Sequence, residues 1–124
     1  MVSINEAEEM LNELVCDLPQ GIFDSLSGGI NLLEDYKLSP HAKKNNLYIL
    51  GEYKTGRSLG RYIVIYYGSL VRVYGHLGEK AFKNRLKKVL HHELTHHLEA
   101  LAGEKDLEID DARQIQAYLK KHED

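Results

Sequence analysis

Residues 79–102 constrain the fold more than any other part of the chain, because they read as one long helix closed by Gly103. At about 100° per residue, Leu86, Leu90, Leu94, Leu98 and Leu101 fall in a single stripe. Such a stripe has to be buried against other elements. Glycine after the last periodic residue suits the left-handed turn that ends helices. A chain of 124 residues has room for one core, so the remaining sequence must supply the layer covering this stripe. One domain over residues 1–124 is expected.

The remaining segments provide candidates for that layer. Ser3 and Glu6 form a capping box, in which the hydroxyl takes an early helix amide and the carboxylate reaches back. Met10, Leu11, Leu14, Val15 and Leu18 follow at helical spacing, and Pro19 and Gly21 stop the helix. Residues 22–29 read as a short helical turn ending at Gly28-Gly29. Strands are predicted at 30–34, 47–54, 61–67 and 70–74, with a turn between Gly56 and Gly60 and a loop marked by Ser39-Pro40 and Asn45-Asn46. Gly68-Ser69 between the last two apolar runs predicts a hairpin. Six of the eight tyrosines fall between residues 48 and 74, where aromatic rings suit half-buried pleated surfaces. A final helix is predicted from Asp110 or Asp111, burying Ala112, Ile115, Tyr118 and Leu119. The expected class is α+β, with helices packed on a small, mostly antiparallel sheet.

Composition narrows the functional classes. A net charge of −3 argues against a nucleic-acid partner, which calls for a basic face. The single cysteine, Cys16, has no internal partner, which favours a reducing, cytoplasmic setting. The N-terminus is acidic where a signal peptide is basic. No run approaches the roughly 18 apolar residues of a membrane span, so no membrane association is expected.

Within the long helix, His92-Glu93-Leu94-Thr95-His96 matches H-E-x-x-H. Residues four apart share a helix face, so both imidazoles can reach one metal. Glu93 sits about 100° around from His92, close to that metal yet offset from direct ligation, where a general base activates water. The leucine stripe lies on another face, so the histidines are free to line a cleft. His97 falls on the apolar stripe and is expected to be a packed histidine. His91 lies on a flank, where a solvated or supporting role is expected.

Catalytic zinc takes three protein ligands and keeps one position open. Gly103 follows His96 by seven residues, and Asp106 follows three later. Asp106 lies past the turn and can approach from outside. Glu108 has the longer arm, Glu99 shares the His92/His96 face, and Asp110 is a further oxygen donor nearby. Asp106 is the preferred third ligand, with Glu108 and Glu99 as alternatives.

At these residues the chain resembles the minimal zincin-like metallopeptidases, small proteins with an H-E-x-x-H-x-x-G-x-x-D motif. His92, Glu93, the doubled His96-His97, Gly103 and Asp106 carry the resemblance, and residues 47–53 and 61–69 are also similar. In this chain the spacing from His96 to Gly103 is four residues longer. The resemblance implies a zincin-like fold, one zinc ion, and hydrolysis of a peptide or protein substrate with Glu93 as base. The alternative is a zinc-binding regulatory or interaction protein without hydrolysis, because a chain this short leaves little room for a deep cleft.

Overall fold

A computed structural model describes residues 1–40, 47–103 and 117–120. In chain order it has α1 (Ile4–Cys16), a 3-10 turn (Gln20–Phe23), β1 (Gly29–Leu33), β2 (Lys37–Leu38), β3 (Tyr48–Ile49), β4 (Gly51–Gly56), β5 (Gly60–Tyr66), α2 (Tyr67–Tyr74) and α3 (Glu79–Gly103). The fold is α+β, and the sheet is mixed. β5 is central in the order β1-β5-β4, parallel to β1 and antiparallel to β4, while β2 and β3 form a separate antiparallel pair. Two of these three pairings are antiparallel, as expected, and the β1–β5 ladder is the parallel exception.

The capping box at the start of α1 is present in both directions. Glu6 N–H donates to the Ser3 hydroxyl at 3.1 Å, and Ser3 N–H donates to the Glu6 carboxylate at 3.0 Å. α1 buries Ala7, Leu11 and Leu14 and packs on α3, which also lies against β4 and β5. All five leucines of the α3 stripe are buried, together with Phe82, Ile22, Ile63, Ile65 and Leu70. β5 carries buried side chains on both faces, and its Ile63 and Ile65 join the core cluster that includes Leu86, Leu90, Leu94 and Leu98 of α3.

The predicted hairpin at Gly68-Ser69 is overturned, since residues 67–74 form helix α2 instead. Neither residue makes a turn here. A Cβ on Gly68 would come within 2.7 Å of the Glu34 and Asp35 backbone, and the Gly68 N–H donates to the Asp35 carbonyl at 3.0 Å. The Ser69 hydroxyl is buried and accepts from Lys37 N–H at 2.9 Å. The Gly-Ser pair therefore permits close approach of a helix to the β1–β2 connection. The hairpin that does form joins β4 to β5, with Gly56 opposite Gly60. The predicted strand at 47–54 is split between β3 and β4.

Of the predicted C-terminal helix, Asp110, Asp111, Ala112 and Ile115 lie outside the described residues. Residues 117–120 are helical, Leu119 is buried, and the Tyr118 hydroxyl donates to the Asp17 carbonyl at 3.1 Å. Among the described residues no helix is long and apolar enough to cross a membrane.

Candidate metal centre

α3 points the two motif histidines into an open groove of about 730 Å³ walled on the other side by β4. Both rings are exposed. Their Nε2 atoms face each other at 3.1 Å, with ring centroids 4.6 Å apart and planes at 87°. Two imidazole nitrogens on one tetrahedral zinc, each about 2.0–2.1 Å from it, lie roughly 3.3 Å apart. The separation of the pair is therefore close to that of two ligands on one zinc.

Glu93 is buried at the base of the same groove, only 6% exposed. Burial raises its carboxyl above the ordinary 4.5. His92 and His96 oppose that shift, Glu52 adds to it, and the Tyr53 backbone N–H, donating to the carboxylate, counters it. A carboxylate raised towards neutrality is better suited to taking a proton at physiological pH. β4 reaches this depth because residue 51 is glycine. A Cβ there would meet Val89 Cγ1 at 2.9 Å, the Val64 carbonyl at 3.2 Å and Glu93 Cγ at 3.4 Å. Gly51→Ala is expected to lower stability by about 1–3 kcal/mol, the usual cost of overpacking, read from urea unfolding. An unchanged midpoint would mean that the contact relaxes freely.

The remaining predicted residues separate clearly. Glu99 is exposed, and its Oε2 stands 3.9 Å from His96 Nδ1. It thus faces the side of the ring turned away from His92, where a carboxylate orients an imidazole. Asp106, Glu108 and Asp110 lie outside the described residues. Among the described residues, no group of three or more His, Cys, Asp or Glu side chains is close enough to hold a metal ion.

His97 is fully buried, as its place on the apolar stripe predicted. Its Nδ1 lies 2.8 Å from the Tyr53 hydroxyl and its Nε2 3.0 Å from the Asp24 carbonyl. His91 departs from expectation. It is 4% exposed, with Nδ1 3.3 Å from the Leu119 carbonyl, because α1 and residues 117–120 cover its flank. A helical wheel gives the angle of a residue but not which neighbour covers it. Tyr53 also exceeds its predicted role as a sheet-face ring, since it walls the groove beside Glu93.

Burial lowers the His97 pKa below the ordinary 6.5, with the Asp24 carbonyl opposing the shift. The unfolded chain therefore binds a proton that the native protein resists. Stability conferred by the neutral ring is complete above about pH 6.5 and is lost as pH falls below that value. Glu93 works in the opposite sense, because the folded protein holds its proton more tightly. Ionisation of Glu93 costs stability as pH rises above about 4.5. Denaturation of the metal-free protein between about pH 8 and pH 5 should show less acid loss in His97→Gln than in the native chain. Equal acid sensitivity would mean that His97 is not the group responsible.

No family model matches the chain, and no curated protein matches it. Among solved structures, a conserved hypothetical protein from Thermus thermophilus is similar. It has a TM-score of 0.72 and 29% identity, covering 82% of this chain and 99% of its own. That protein shares the small α+β fold.

Proposed function

We propose that this protein is a zinc-dependent peptidase of zincin-like fold. The observation that carries the proposal is the convergence of His92 and His96 Nε2 at 3.1 Å beside the buried carboxylate of Glu93. His92 and His96 would hold the ion, with Asp106 as the preferred third ligand. Bound zinc supplies Lewis acidity, which acidifies water and polarises a peptide carbonyl. Glu93 accepts the proton of the attacking water and passes it to the leaving amine. β4 is an edge strand of its sheet, and its residues 51–53 wall the groove. An extended peptide can be held along such an edge by main-chain hydrogen bonds. A peptide or protein substrate and a cytoplasmic setting belong to this reading.

A non-catalytic zinc-binding interaction protein is the second reading. A separate groove of about 710 Å³ between α1 and α3, lined by Leu14, Lys80, Lys83 and Lys87, lies away from the histidines and favours it. The two readings part on one experiment. Protein purified without chelator is expected to carry close to one zinc per chain and to cleave members of a broad peptide library, and chelation should abolish cleavage. Zinc without cleavage selects the second reading, and absence of zinc rejects both.

A further inference from the structure

The groove holds a tyrosine whose proton is already committed. Tyr53 lies on β4, with its backbone N–H donating to the Glu93 carboxylate and its hydroxyl 2.8 Å from His97 Nδ1. The two rings stack at a tilt, with centroids 5.3 Å apart. At the other end of the imidazole, Nε2 stands 3.0 Å from the Asp24 carbonyl oxygen. A carbonyl has no proton to give, so Nε2 must carry one. A neutral imidazole has a single N–H, which leaves Nδ1 bare and makes the Tyr53 hydroxyl the donor.

We propose that Tyr53 is a positioning residue for Glu93, locked by a one-way hydrogen-bond chain that runs from Tyr53 through His97 to the Asp24 carbonyl. What Glu93 is positioned to do rests on the hydrolytic reading above; the chain itself does not. Tyr53 borders the histidine groove, but its O–H is spent on His97 and is not available to a developing oxyanion. Its contribution is placement: the phenol anchors β4, and the anchored backbone N–H fixes one carboxylate oxygen of Glu93. Gly51, two residues earlier, lets the strand approach closely enough for this.

Nitrogen NMR of the full chain with labelled histidine tests the direction of the chain. The expected result is a neutral His97 with its proton on Nε2; a proton on Nδ1 overturns the proposal. Carboxyl-labelled glutamate then tests the placement. Tyr53→Phe and His97→Leu should move the Glu93 resonance alike, the double variant no further, and His97→Gln, which keeps a donor and an acceptor, should restore much of it. Unmoved Glu93 resonances in folded single variants overturn the positioning role. If His97→Leu does not fold, Tyr53→Phe and His97→Gln carry the comparison. On labelled casein with zinc-loaded protein, kcat should fall about tenfold in Tyr53→Phe and His97→Leu with KM unchanged, as expected for slight misplacement. A loss in Tyr53→Phe with none in His97→Leu overturns the proposal by making the phenol a direct donor. Native protein that cleaves no casein counts against the hydrolytic reading, while the resonances still decide the positioning role.

Discussion

Glu93→Gln is expected to leave zinc bound and to slow peptide cleavage by about 10²–10⁴-fold, the usual worth of a general base. Glutamine keeps the length of the side chain and an oxygen to accept the Tyr53 N–H. What it lacks is a site for the proton taken from water. Metal content should be unchanged, because the Nε2 pair of His92 and His96 is built without Glu93. Stability near neutral pH should be equal or slightly higher, since ionising a buried carboxyl costs free energy and burial is the leading influence on Glu93. Zinc analysis, melting and cleavage of a library-selected peptide read the three outcomes separately. Equal cleavage by native protein and variant would remove Glu93 from the chemistry. Loss of zinc would make it a ligand instead.

Features fixed by local chemistry were readable from the sequence. The α3 leucines repeat at helical spacing and all are buried. The capping box lies within four residues and forms as expected. The faces of His92, His96 and His97 follow from rotation along one helix, which no distant contact can change. Features set by neighbours distant in sequence were not readable. Residues 67–74 are apolar at positions compatible with strand or helix, and packing of Gly68 on the Asp35 backbone favours the helix. His91 owes its burial to residues 117–120, reached only through the fold. Parallel pairing of β1 with β5 needs a crossover that periodicity does not reveal. Tyr53 is indistinguishable in sequence from the other sheet tyrosines, and only its contact with His97 sets it apart.

Loss of a metal ligand should give the other large effect. His92→Ala and His96→Ala are each expected to weaken zinc binding well beyond the roughly 10–100-fold that follows loss of a supporting contact. Each removes one of two nitrogens already set 3.1 Å apart. Asp106→Ala should fall in the same class if this residue supplies the third ligand, since it comes three residues after Gly103, where α3 ends. Glu99→Gln belongs to the weaker class. Its carboxylate stands 3.9 Å from Nδ1 of His96 and is more than half exposed, so solvent screens it and the change should be about tenfold or less. His97 is a useful control, because its nitrogens point to Tyr53 and Asp24. His97→Gln should therefore retain zinc even where it alters stability. Competition titration with a zinc chelator ranks all five variants on one scale. If Glu99→Gln releases the metal while Asp106→Ala keeps it, the third ligand comes from α3 itself. The Glu99 side chain would then have to swing from the Nδ1 side of His96 to the Nε2 side on binding. If both keep the metal, the third oxygen comes from Glu108 or from a partner, and His92 and His96 remain the fixed part of the site.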